Sequence, residues 1–192
     1  MNHNGCLILM VALLYSCSPS TPEQKTDETS SIQVRESESE PVDTVRLLKT
    51  EVKNVAGNII STGYLLNGKK ESSWIEFYDN GLIKTSTTYY HDKKEGLFLE
   101  FNTSNQVVKR CFYHRDLRHG EYKEFNSINV KEERSYNNGK QEGVTKIYYD
   151  NGKVMEEGLY KDGVRDGVSK WYDQNGNLSI EYEYKNGQLV KK

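Results

Sequence analysis

Short segments of alternating hydrophobic and polar residues follow one another along the chain from residue 46 onward. They are rich in Tyr, Val, Ile, Phe and Thr, the residue types that favour strands. No stretch shows the 3.6-residue period of an amphipathic helix. The dipeptide Asn-Gly, a strong hairpin signal, stands at positions 67–68, 80–81, 138–139, 151–152, 175–176 and 186–187. We therefore predict an all-β domain of antiparallel hairpins with about twelve short strands.

The hairpins are copies of one motif, Tyr-x-(Asn/Asp)-(Gly/Asp)-x-x-x-Gly, which recurs every 23 or 24 residues. Its first position falls at Leu65, Tyr89, Tyr113, Tyr136, Tyr160 and Tyr184, and its closing position at Ser72, Gly96, Gly120, Gly143 and Gly167. An aromatic residue follows five positions later: Phe77, Phe101, Phe125, Tyr148 and Tyr172. Residues 46–192 thus hold about five and a half copies. Stacked copies predict an elongated, twisted antiparallel sheet that lengthens by about 10 Å per copy.

Both faces of the predicted sheet carry aromatic residues. Positions +1, +3 and +5 after the closing position share one face, and positions +2 and +4 share the other. The second face has large side chains at +2 in three copies and at +4 in two: Trp74, Phe98, Tyr122, Ile147 and Trp171. These side chains either stack between neighbouring copies or form an exposed stripe that binds a partner. On the second interpretation the candidate contact residues are Trp74, Phe98, Tyr122 and Trp171.

The first seventeen residues carry no Lys, Arg, Asp or Glu, and Cys6 to Leu14 form an apolar run. As a helix this run would rise about 13–14 Å, too little for a hydrocarbon core of about 30 Å. It predicts a signal-peptide h-region, and the following residues 14–17, LYSC, resemble the bacterial lipoprotein box. We predict a signal peptide over 1–16 and a lipid on Cys17; an ordinary secretory signal or an uncleaved anchor is the alternative. The mature protein would be exported and lipid-anchored to the envelope of a Gram-negative bacterium.

Residues 17–45 have the composition of a disordered tether. They contain all three prolines of the chain, and seven acidic residues against Lys25 and Arg35, a net charge of −5. Such a segment cannot bury enough apolar surface to offset the entropy of ordering. Residues 46–192 hold 24 basic and 21 acidic residues, so the chain's net charge of −2 combines two opposite parts. This nearly neutral domain argues against a nucleic-acid partner.

The copies around Tyr136 and Tyr160 read YNNGKQEGVTKIYYDNG and YKDGVRDGVSKWYDQNG. They resemble the variant form of the MORN repeat (membrane occupation and recognition nexus), which occurs in bacterial proteins described as antitoxin components of toxin–antitoxin systems. The resemblance covers about 57–192 and is weaker in the second and third copies, where Asp92 and Asp116 replace the turn glycine. It implies a curved sheet of hairpins that binds a protein, or a lipid, along one face, and it implies no catalysis.

The sequence contains no recognisable catalytic, metal-binding or cofactor-binding motif. We interpret His91, His114 and His119 as surface turn residues. The residue before the closing position is Glu71, Glu95, His119, Glu142 or Asp166, and Lys and Arg residues stand beside it. This row predicts a solvated, charge-balanced edge. Cys111 would be the only thiol of the mature form and is interpreted as a small core residue.

These observations predict a membrane-anchored, non-catalytic repeat scaffold that binds a protein partner through a face of the sheet. An antitoxin-like role is one option within that prediction. The alternative is a cell-wall or carbohydrate binding module, which shallow aromatic pockets between copies would favour. A continuous exposed stripe would instead favour a protein partner.

Overall fold

The computed structural model describes residues 46–127 and 129–191. The predicted signal peptide (1–16), Cys17 and the tether (17–45) lie outside this part of the chain. The described residues belong to one compact unit, Asp43–Lys192. No helix in the described part is long and apolar enough to span a membrane.

The described residues form one open antiparallel sheet of fourteen strands. This confirms the predicted all-β fold of repeated hairpins. The strands are β1 (Leu47–Lys53), β2 (Ile59–Leu66), β3 (Lys69–Phe77), β4 (Ile83–Tyr90), β5 (Lys93–Phe101), β6 (Val107–His114), β7 (Leu117–Asn126), β8 (Asn129–Asn137), β9 (Lys140–Gln141), β10 (Gly143–Tyr148), β11 (Val154–Lys161), β12 (Val164–Tyr172), β13 (Leu178–Lys185) and β14 (Gln188–Lys191).

Neighbours in sequence are neighbours in the sheet, and both β9 and β10 pair with β8. The count exceeds the expected twelve for two reasons. β1 precedes the first full copy, and β9 and β10 are parts of one strand interrupted at Glu142.

Two kinds of turn connect the strands. Six two-residue turns have positive φ at both positions, as at Asn67 (51°) and Gly68 (78°), which is the type I′ geometry that suits the twist of a hairpin. Only three of the six Asn-Gly dipeptides lie in these turns. The other three lie in wider turns, such as that in which the Tyr78 carbonyl accepts the Gly81 N–H (2.9 Å). The two kinds alternate along the chain, so the six two-residue turns line one edge of the sheet; the other edge has the wider turns and the shorter connection between β7 and β8.

The closing position of each motif is a β-bulge. Ser72 and the four closing glycines all have positive φ, and the pairing register shifts beside each of them, as between Thr62 and Tyr64 opposite β3. Three residues of the bulged strand, such as 72–74, lie opposite one residue of the neighbouring strand, and glycine adopts the positive φ of the closing position at little cost. The bulge explains why the motif ends in Gly.

The core is a single row of side chains on one face of the sheet, which we call the packed face. It comprises positions +2 and +4 and the residues paired with them. The buried apolar residues Trp74, Cys111, Tyr122 and Tyr136 lie on it, together with buried polar side chains such as Thr87 and Ser169. Positions +1, +3 and +5 and their partners form the opposite face, which we call the open face.

Candidate interaction surfaces

Trp74 is buried, with only 4% of its surface exposed. Its indole lies directly over Gly63, and its Nε1–H donates a hydrogen bond to the Tyr64 carbonyl (3.0 Å). The ammonium of Lys70 lies over the indole, 4.5 Å from the ring centroid. Trp74 therefore packs against its own sheet.

Tyr122 is equally buried, at 4% exposure. Its ring meets that of Tyr136 edge-on, with centroids 5.8 Å apart, and the guanidinium of Arg118 lies 5.0 Å from its centroid. Its hydroxyl donates to Glu124. The expectation that Trp74 and Tyr122 are exposed for a partner is therefore wrong, because each ring is enclosed by its cross-strand neighbours and a cation.

Phe98 and Trp171 are half-buried in the same manner. Phe98 contacts Tyr113 edge-on at 5.9 Å, and Trp171 contacts Tyr182 at 5.6 Å. The Trp171 Nε1–H donates to Glu156 (3.0 Å). A contact role for these two residues stays a prediction, and the packing between strands accounts for their positions.

A long basic side chain covers the aromatic rings in four copies. It occupies the fifth position after the motif's first residue and lies between two rings, as Lys70 does between Trp74 and Tyr89 (4.9 Å). The set is Lys70, Lys94, Arg118 and Arg165. Lys and Arg can cover apolar surface with their stems and place the cation over a ring. The charge of these residues predicts a solvated edge, whereas their recurrence at one motif position is the signal in the sequence for this packing role.

The row of acidic residues before the closing position links consecutive copies. Glu71, Glu95, Glu142 and Asp166 each accept a backbone N–H from the two-residue turn of the next copy, at 2.9–3.1 Å. In parallel, a backbone N–H of each such turn donates to the carbonyl of the fifth residue after the first motif position in the preceding copy, as Asp92 does to Lys70 (2.9 Å) and Gly163 to Gln141 (2.9 Å). The predicted solvated edge is therefore also a series of links between copies.

Two of these carboxylates have a lowered pKa. A hydrogen bond from His114 and the Arg115 N–H hold the pKa of Glu95 below its ordinary value. Lys185 and the Asn186 N–H lower the pKa of Asp166 in the same way. Both carboxylates are thus stabilised in the charged form that the links between copies require.

The histidines lie at the edge formed by the two-residue turns. The Nδ1 atoms of His91 and His114 lie 3.3 Å from Glu71 and 2.8 Å from Glu95. The His114 and His119 rings are 5.9 Å apart, but within residues 46–127 and 129–191 no group of His, Cys, Asp and Glu is arranged to hold a metal. Cys111 is 1% exposed, in agreement with its interpretation as a core residue, and burial raises the pKa of its thiol.

The open face exposes apolar side chains near the same edge. Leu97 pairs with Phe112 across β5 and β6, and each is 38% exposed. Val144 pairs with Leu159 across β10 and β11, and both are exposed. The two pairs lie four strand spacings apart, about 19 Å. Glu121 and Ser135 lie between them.

A ladder of alternating charge runs beside these apolar pairs on the open face. Its members are Lys123, Glu133, Lys146, Glu157, Lys170 and Glu181, each opposite the next on adjacent strands. Ion pairs join Lys123 to Glu133 (2.9 Å), Lys146 to Glu157 (3.4 Å) and Lys170 to Glu181 (3.6 Å). Opposite charges across strands favour this register and keep the middle of the face polar.

The comparison with known families agrees with this geometry in the last two copies. Residues 141–162 and 165–186 match the MORN repeat variant. These two adjacent MORN repeats are the copies in which the motif residues are most regular. No curated protein matches the chain.

Proposed function

We propose that this protein is a membrane-anchored, non-catalytic MORN-type scaffold that binds a protein partner through the open face. The supporting observation is the exposure of the two apolar pairs, Leu97–Phe112 and Val144–Leu159. Exposed apolar side chains grouped on one face are typical of a protein interface. The partner segment would cross the strands and carry two apolar contacts about 19 Å apart.

The repeat architecture supports this choice of face. The packed face uses its aromatic rings internally, under Lys70, Lys94, Arg118 and Arg165. A partner there would have to displace these cations before it reached a ring. The open face needs no such rearrangement, because its apolar side chains already meet solvent.

The burial of the aromatic rings on the packed face argues against the carbohydrate-binding alternative. Sugar binding requires rings whose faces are accessible for stacking, whereas Trp74 and Tyr122 are buried. An antitoxin-like role remains one form of the protein-partner proposal, in which the partner would be a toxin outside the cytoplasm. The exported location rests on the h-region and on Cys17.

Site-specific photo-cross-linking of the full chain in its native cells tests the partner proposal. A photoreactive residue at Phe112 or Leu159 should give an adduct of the same mass with the same protein. Ser104, exposed in a wider turn, is the matched control and should give none. Equal adducts from all three positions, or none from Phe112 and Leu159, would contradict the open-face proposal.

The anchor is tested separately with a Cys17→Ser variant. The wild-type chain should incorporate a labelled fatty acid and sediment with membranes. The variant should lose the label and leave the membrane fraction, because a diacylglycerol on the cysteine thiol is the proposed attachment. Membrane association of the unlabelled variant would show that another segment holds the protein.

A further inference from the structure

β1 is an edge strand that carries exposed apolar side chains. Within the described residues it pairs with β2 alone. It is seven residues long, and its exposed side chains include Leu48 (54%) and Val52 (41%). The free edge of a sheet presents unpaired backbone N–H and C=O groups to another strand, so β1 offers a surface for strand addition that mixes apolar and charged side chains.

The charged side chains of β1 have no oppositely charged side chain facing them on β2. β2 places Tyr64 opposite Lys49 and Thr62 opposite Glu51. The ammonium and carboxylate lie 3.8 Å apart on the same strand and are substantially exposed. A cross-strand partner for each charge is therefore available only on the free side of β1.

The sequence LLKTEVK is complementary to itself when two copies run antiparallel about Thr50. That register places Lys49 opposite Glu51 twice and Leu48 opposite Val52 twice. Only alternate residues of a strand direct their backbone groups to one side. Two identical antiparallel strands can therefore pair symmetrically only when one residue lies opposite its own copy, and we call that residue the centre of the register. Centring on Lys49 or on Glu51 would oppose two like charges, which is destabilising. Among these centres, only Thr50 places Lys49 opposite Glu51, and it leaves the third charged residue of the strand, Lys53, opposite Leu47.

We propose that β1 of one copy pairs antiparallel with β1 of a second copy, centred on Thr50, to form a closed dimer with a continuous sheet. Such an interface is isologous and ends after two chains, because each chain contributes the same edge. Pairing of β1 with β14 would instead be head-to-tail and would give open polymers.

Charge reversal tests the register. Sedimentation of the full chain in detergent should show a monomer–dimer equilibrium. Lys49→Glu alone, or Glu51→Lys alone, opposes two pairs of like charges and should weaken dimerisation about tenfold or more. The double swap K49E/E51K recreates both pairs and should restore it. β2 opposes these positions with uncharged residues, and the same-strand contact that each single reversal removes is exposed, so the thermal stability of the dilute monomer should change little in all four forms.

Cysteine cross-linking provides the second readout. A Thr50→Cys chain should form a disulfide dimer under mild oxidation, since the two central Cα atoms would lie about 5 Å apart. Lys53→Cys is the control, because the two thiols would lie about 20 Å apart in this register. A monomer at every concentration, open-ended polymers, a double swap that fails to restore dimers, or equal cross-linking at both positions would overturn the proposal.

Discussion

The indole of Trp74 lies so close to Gly63 that a Cβ on this glycine would overlap the ring. Gly63 has an ordinary strand conformation, so the constraint is one of space. Gly63→Ala should force the buried indole to move and destabilise the fold by about 1–3 kcal/mol. Urea unfolding followed by tryptophan fluorescence measures this loss.

Gly158 is the matched control for that substitution, because it occupies the same motif position four copies later. A Cβ at Gly158 would meet the ends of the Arg165 and Ser169 side chains at 2.9 and 3.0 Å. A guanidinium can move where an enclosed indole cannot, so Gly158→Ala should cost clearly less than Gly63→Ala. Equal losses would show that steric overlap with Trp74 is not the cause.

The substitution of turn glycine by aspartate in the second copy has a structural reason. Asp92 has a φ of 68°, and its Oδ1 accepts the backbone N–H of Lys70 (2.6 Å). Asp92→Ala should lose this bond and keep the strained φ, at a cost of about 1–2 kcal/mol. Asp92→Gly also loses the bond but relieves the strain, so it should stay within about 1 kcal/mol of wild type. Chemical denaturation of both variants separates the two effects, and equal losses would contradict this account.

The period of the repeat and its turn residues were sufficient to predict the hairpins, their antiparallel order and the faces of each strand. Alternation alone places Trp74 and Tyr122 on one face, but it does not say what covers that face. The cover comes from Lys70 and Arg118, whose charge suggests solvent exposure while their stems and cations pack on rings. The sequence also does not show that Glu95 links two copies, because its hydrogen bond to the Arg115 N–H depends on the position of the next turn in space.

The carboxylate links predict a loss of stability in acid. The pKa of Glu95 is lowered by hydrogen bonds from His114 and the Arg115 N–H. A depressed pKa contributes stability above the unfolded-state value and loses it as pH falls through the folded-state value. The melting-temperature advantage of wild type over Glu95→Gln should therefore be present near pH 6, shrink as the pH falls below the unfolded-state pKa, and disappear once the pH is below the lowered pKa of the folded state.

Asp166 provides an independent repeat of that experiment, since its pKa is lowered by Lys185 and the Asn186 N–H. Asp166→Asn should show the same convergence with wild type in acid. A difference in melting temperature that stays constant down to pH 3 in both variants would show that the ionised carboxylates do not contribute through these links.

The buried thiol of Cys111 should be unreactive in the folded protein. It is 1% exposed, and burial raises its pKa, so both access and the thiolate fraction are low. In a C6S/C17S chain, a thiol reagent should modify Cys111 at a rate limited by opening of the sheet, and rapidly once urea unfolds it. The matched control is the C6S/C17S chain with two further substitutions, Cys111→Thr and Phe112→Cys. These move the thiol to the next residue, which lies on the open face. Threonine is chosen because Thr87 occupies the same motif position as Cys111 in the preceding copy. The control should react roughly a hundredfold faster or more. Equal rates for the two chains would mean that the packed face is open to solvent, contrary to the enclosure of Tyr122 and Trp74.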